Sequence, residues 1–352
     1  MSKAAELANL ASASETALSN RNIVINGAMQ ISERATSVAI SSDGYHTLDR
    51  WRTAISGLGS WTQTQSTDVP TGAGFASSLK MDCTSADASP AAGDYLQVAT
   101  RIEGQDVQRL KYGTSSAESM VLSFWVKSTK TGVNVVSFYQ DDGAKQISGS
   151  YTIGTSNTWE YKTITFVGNT VNAIANDNTR GFQVAWYLGA GSNRTSGTLR
   201  TTWTAYATAD EAVGQVNNAD STSNDWLITG VQLEVGTVVT ATPFEHRSVG
   251  QELALCQRYY QTINPKLNAI FAAGYQNNSE RISQVHRLGI EMRTEPTCTV
   301  NGTWTVSGCD QPVFTSFSKN VVSTHILKSG GAGSAYYHAN GTDDFFSMDA
   351  EL

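Results

Sequence analysis

Apolar and polar residues alternate with a period of two along much of the chain. Over residues 121–127, Leu122, Phe124 and Val126 fall on one side and Trp125 on the other. Over 159–167, Lys162, Ile164 and Phe166 oppose Tyr161, Thr163 and Thr165. Phe182, Val184, Trp186 and Leu188 share a side, and so do Leu227, Thr229, Val231, Leu233 and Val235. Successive side chains of a strand point to opposite faces, so such runs predict strands with one buried and one wet face. Turn clusters at 141–143, 154–157 and 189–193 separate the runs. Many strands, polar turns and almost no helical periodicity predict an all-β chain with a jelly-roll β-sandwich over 21–247.

Two segments break the alternation. Residues 248–265 read as a connector helix, with Leu253, Cys256, Tyr259 and Tyr260 on one face and Pro265 closing the segment. Ser248 is its expected N-cap, and Glu252 stands one position too far on for a capping box. Residues 3–19 read as a short N-terminal helix on a thin heptad-like stripe, within an arm over 1–20. The arm's expected role is docking to another protein, through Leu7, Leu10 and Leu18. Residues 266–352 predict a smaller C-terminal β domain, with strand candidates at 266–273, 279–288, 297–306, 321–327 and 336–352. So short a unit, rich in polar residues, is expected to complete its core against copies of itself, as a homotrimer.

Charged residues make up 16% of the 352, against a usual ~25%. Ser, Thr, Asn and Gly fill the difference. The net charge of -7 comes with no basic stripe, which argues against a nucleic-acid partner. Cys83, Cys256, Cys298 and Cys309 lack CxxC spacing and are expected to be reduced and buried rather than zinc ligands. The five histidines are scattered. No secretion signal and no long apolar span is present, so membrane insertion is not expected, and folding is expected in a cytoplasm.

No nucleophile elbow, phosphate-binding loop, zincin motif or EF-hand loop occurs. Asp141–Asp142 and Asp343–Asp344 are adjacent acids. Neighbours on a strand point to opposite faces, so neither pair makes a two-carboxylate hydrolytic site by itself. The eight tryptophans and thirteen tyrosines are the better lead, because sugar rings stack on aromatic faces. Trp61, Trp125, Tyr139, Trp159, Tyr161 and Tyr187 fall at wet-face or turn positions and are the glycan-binding candidates. The plain alternative for each is a place in the core.

Three segments carry a resemblance. They are Asn22-Ile23-Val24-Ile25-Asn26-Gly27-Ala28-Met29-Gln30 with the following Gly44-Tyr45-His46-Thr47-Leu48-Asp49-Arg50-Trp51; residues 230–236 with Ala241-Thr242-Pro243-Phe244-Glu245-His246-Arg247-Ser248; and Cys256-Gln257-Arg258-Tyr259-Tyr260. Together with the closing Asp349-Ala350-Glu351-Leu352 they resemble a family of phage tail-fibre and virion structural proteins common in marine phages, cyanophages among them. The large domain also resembles jelly-roll carbohydrate-binding modules at 95–103, 122–128 and 226–236. The first resemblance implies a virion location. The second implies glycan binding on a sheet face or edge, with a structural calcium as an option but no legible ligand motif. Read physically, Ile23, Val24 and Ile25 make a first strand, Asn26–Gly27 a tight turn, and Phe244 a plug at the bottom of the core.

The expected function is that of a virion appendage subunit, tail fibre or knob, which binds a host-surface glycan without catalysis and needs no cofactor. The alternatives are a capsid decoration or head-fibre protein without receptor activity, and a polysaccharide depolymerase.

Overall fold

A computed structural model describes Lys3 and residues 20–236, 242–264, 270–276, 281–327, 333–341 and 343–352. Apart from Lys3, the expected arm helix with Leu7, Leu10 and Leu18 lies outside the described residues. The chain is mostly β and divides into two compact units, Met1–Glu252 and Leu253–Leu352.

The first unit is a two-sheet sandwich. Its strands are β1 (Ser37–Ile40), β2 (Gly44–Tyr45), β3 (Arg52–Ser56), β4 (Ser60–Ser66), β5 (Ser78–Ser85), β6 (Tyr95–Glu103), β7 (Met120–Ser128), β8 (Gly132–Gln140), β9 (Lys145–Ile153), β10 (Glu160–Phe166), β11 (Arg180–Ala190), β12 (Thr204–Ala205) and β13 (Asp225–Val235). One sheet runs β1-β4-β5-β13-β7-β10 and the other β12-β9-β8-β11-β6-β3-β2. The inward residues of both sheets interdigitate, as face-to-face sheets require. Phe124 of β7 meets Trp186 of β11 at 5.7 Å and Tyr151 of β9 at 5.1 Å, both edge-on, and Trp51 lies 5.6 Å from Trp186. Edge-on and offset rings are the favoured aromatic contacts, and these four close the centre of the core.

Alternation in β7, β10 and β11 runs as the sequence predicts. In β13 it does not. The register with β7 slips between Thr229 and Gln232, a β-bulge at Gly230, whose φ is +61°. The extra residue reverses the parity, so Trp226 and Ile228 join Val231 and Leu233 in the core, while Leu227 and Thr229 face outward. A second correction concerns Ile23–Ile25. They form no strand, and the chain there is tied to β13 by single backbone bonds, Ile23 N–H to Leu233 O and Val231 N–H to Gly27 O. Buried Asn26 organises this entry. Its amide donates to the carbonyls of Ile31 and Asp49 and accepts from the N–H groups of Gln30 and Ile31.

Helix Val249–Gln257 follows. Ser248 does cap it, but the box closes with Gln251. The Gln251 N–H donates to Ser248 Oγ at 3.3 Å, and the Ser248 N–H donates to Gln251 Oε1 at 3.1 Å. Glu252 turns instead to the N–H of Asn26 and to Arg247.

In the second unit three short sheets are described. One pairs Tyr260–Ile263 and Thr297–Val300 with Phe346–Asp349; one pairs Ile270–Gln276 and Thr305–Ser307 with Gly333–His338; one pairs Arg281–Arg287 and Val313–Phe317 with Val321–Leu327. The expected single strand over 297–306 is split by a turn at Gly302, φ +77°. Trp304 stacks on Phe346 at 4.6 Å, with Tyr337, Met292, Met348 and Ile326 buried around them. Cys83, Cys256 and Cys309 are buried, and Cys298 is only half buried.

Candidate functional site

The outer face of the six-stranded sheet carries an aromatic cleft. Trp125 of β7 and Tyr161 of the edge strand β10 stand directly opposite each other across the ladder, because both are outward positions of paired strands. Their rings lie 5.3 Å apart and tilted by 48°. Tyr161 is 43% exposed and Trp125 is half-buried. Phe75, Phe244 and His246 form the opposite wall, with Phe75–Phe244 at 5.0 Å and Phe244–His246 at 4.9 Å. The cleft is open to solvent and has a volume of about 570 Å³.

Two connections position these rings. The segment between β4 and β5 folds over the sheet. Asp68 accepts from Lys127 Nζ at 2.7 Å and from Trp159 Nε1 at 2.9 Å. Thr229 Oγ1 donates to Ser77 O at 2.7 Å. Between these ties Phe75 lies on the Gly230 bulge so closely that a Cβ at 230 would come within 2.5 Å of its ring. The bulge residue is therefore a glycine for two reasons, its positive φ and the ring above it. The second connection, Thr242–Arg247, is held along β13 by buried outward side chains. Glu234 accepts from Thr242 Oγ1 at 2.6 Å, and Gln232 Oε1 accepts from the Glu245 N–H at 2.7 Å. That contact corrects the expectation for Phe244, which stands on the outer face and plugs no part of the core.

Burial alone would push the Asp68 carboxyl up. The hydrogen bonds from Lys127 and Trp159 outweigh it and hold the group below the usual carboxylate range. The loop is thus clasped by an ionised acid at neutral pH.

Of the six aromatic residues expected to face solvent, the fold brings Trp125 and Tyr161 together, with Trp159 beside them through Asp68. Tyr139 lies on the outer face of the other sheet. Trp61 is a correction: it is 1% exposed, sits in the core and donates its indole N–H to Leu58 O. Tyr187 is a second correction. It points outward from β11 but is 2% exposed, packed with Ala99, Ala185 and Ala212. Phe75, Phe244 and His246 escaped sequence reading because they come from loops, where no alternation marks a face.

The adjacent acids serve turns and ion pairs. Asp141 pairs with Arg180, and Asp344 accepts from the N–H groups of Thr303, Asn340 and Gly341. Among the described residues no three His, Cys, Asp or Glu side chains gather as a metal site.

The large unit is thus a two-sheet β-sandwich with an aromatic cleft on one outer face. No family model and no curated protein matches the sequence. Among solved structures, the enzymatically active domain of tailspike protein 4 from bacteriophage CBA120 is similar with a TM-score of 0.33 at 14% identity, over 61% of this chain and 21% of that one. This chain therefore spans about a fifth of that tailspike fragment. A family 4 carbohydrate-binding module gives 0.30 at 14%, over 60% of this chain and 97% of its own. A family 61 module in complex with β-1,4-galactotriose gives 0.25 at 11%, over 61% and 99%.

Proposed function

We propose that this chain is a subunit of a tailed-phage virion appendage whose jelly-roll sandwich binds a bacterial surface glycan in the aromatic cleft. The observation that carries the reading is the Trp125–Tyr161 pair, two adjacent rings left open to solvent on a sheet face. Exposed aromatic surface of this kind marks interaction sites, and a pyranose presents an apolar C–H face of matching size. Trp159, Asp68 and Lys127 lie next to the pair and supply polar groups for the sugar hydroxyls.

The reading is one of binding without bond cleavage. The described lining of the cleft has one imidazole, His246, and the neighbouring Asp68 carboxylate is engaged by Lys127 and Trp159. The virion assignment rests on the sequence resemblance, with the N-terminal arm as the particle anchor. In the C-terminal unit Ile270, Tyr275 and Val285 are each more than half exposed. These side chains support self-association, for which we assign a homotrimer; repeated weak sites then act together.

The test is adsorption. Purified full-length chain should bind host cells, compete with phage for infection and run as a trimer by light scattering. A chain that co-purifies with emptied heads yet fails to adsorb would be a decoration protein and would sink the reading. Release of reducing sugars from the polysaccharide would replace it with a depolymerase.

A further inference from the structure

The outer face of the seven-stranded sheet holds a second groove of about 300 Å³, of different chemistry. Cross-strand pairing builds its floor. Arg101 of β6, Gln183 of β11 and Tyr139 of β8 form one row, and Arg52, Ala99 and Ala185 the next. Of the second row, Arg52 lines the groove, while Ala99 and Ala185 are buried with Tyr187 and Ala212. Arg101 Nε donates to Gln183 Oε1 at 3.0 Å and Arg180 Nη1 donates to the same oxygen at 3.3 Å, so two guanidiniums converge on one neutral atom. Arg180 also lies 5.6 Å over the Tyr139 ring.

The lining is cationic in a chain of net charge -7. Four arginines, 52, 101, 180 and 194, stand against two carboxylates, Asp43 and Glu211, and Asp141 beside Arg180 makes a third. Burial, and then the neighbouring charges of Arg180 and Arg52, hold the Arg101 pKa below its usual value, the mark of crowded, partly dehydrated like charges. A second observation points to a ligand. Gln97, also lining the groove, is 8% exposed, and its Oε1 is buried without a hydrogen-bond partner. An unsatisfied buried acceptor is costly and is expected to meet a donor.

We propose that this groove binds a carboxylate-bearing saccharide. Arg101 and Arg180 receive the carboxylate, which guanidinium forks match in shape and charge. Gln97 turns its amide, whose Oε1 lies buried beneath the groove surface, to accept from a hydroxyl of the same sugar, and Tyr139 offers a ring for its C–H face. The described lining of the aromatic cleft holds no arginine, so the two faces take different sugars and the proposal stands independently of the cleft.

Affinity electrophoresis of the full chain tests it, in gels holding polygalacturonate, alginate or hyaluronate, beside carboxyl-reduced polygalacturonate and dextran sulfate. Retardation is expected in at least one carboxylated gel and not in the reduced polymer. Arg101→Gln should weaken it by about tenfold or more, and Gln97→Leu, which leaves every ion pair intact, by several-fold. Trp125→Ala should leave it unchanged; loss of neutral-glycan binding in that variant reports on the cleft alone. The proposal is overturned if no carboxylated polymer retards the chain, if the reduced polymer or dextran sulfate retards it equally, or if folded Gln97→Leu and Tyr139→Leu both migrate as wild type.

Discussion

The two outer faces of the sandwich share one core and one building method, yet they carry opposite chemistry. Each is a sheet face partly roofed by a long connection, residues 66–78 over the six-stranded sheet and 191–216 over the seven-stranded one. On the first, the roof and floor meet through rings, and the polar groups sit at the margin. On the second, the floor itself is guanidinium, amide and phenol. The difference teaches that the sandwich fixes only where outward side chains stand; what they recognise is set strand by strand, at positions the core does not constrain.

The comparison can be broken most severely from the inside. Phe124 is fully buried and contacts rings from the opposite sheet, so Phe124→Ala should cost about 3–5 kcal/mol in urea unfolding. It should weaken both faces together, and a loss under about 1 kcal/mol would mean the two sheets do not depend on this contact.

A narrower cut separates the faces. Gly230→Ala forces a side chain into a positive φ and against Phe75. The expected cost is about 1–3 kcal/mol, with Phe75 displaced and glycan binding in the aromatic cleft reduced. Binding in the arginine groove should be untouched. Equal losses on both faces would show that the bulge supports the whole sandwich and not the cleft.

The smallest effect is a pH dependence confined to the aromatic face. Asp68 has a depressed folded-state pKa, so its contribution is complete above the unfolded carboxyl pKa of about 3.9 and is lost as pH falls through the lower folded value. The group is 43% exposed, which limits the contribution to under about 1 kcal/mol. Trp159 fluorescence should change below about pH 4 and not between pH 5 and 8, and Asp68→Asn should remove the transition. A transition that persists in Asp68→Asn would assign it to another acid.

Much of the sandwich was legible as alternation, because β7, β10 and β11 send alternate apolar side chains into the core. The exceptions have particular causes. In β4 the inward positions include Gln63, buried and bonded to Thr47 Oγ1 and Thr53 Oγ1, so no apolar–polar contrast reveals that Trp61 points inward. In β13 a single glycine bulge reversed the parity of everything before it. Tyr187 occupies an outward position as alternation requires, but a connection covers it, and no local pattern reports a roof. The arginine groove was half legible. Tyr95, Gln97, Ala99 and Arg101 alternate against Leu96, Val98 and Ile102, an outward set mixing ring, amide and charge. Its partners Gln183, Tyr139 and Arg52 lie far away in sequence and meet it only through strand order.

The most direct test of the central claim is a binding measurement on the double variant Trp125→Ala/Tyr161→Ala. Its affinity for a panel of bacterial surface polysaccharides should be compared with wild type, with thermal unfolding as the control. The account predicts an unchanged unfolding midpoint and a loss of about tenfold or more for the neutral glycan, since each aromatic platform contributes about 1–3 kcal/mol in analogous stacking on planar rings. Wild-type affinity in a folded double variant would contradict it.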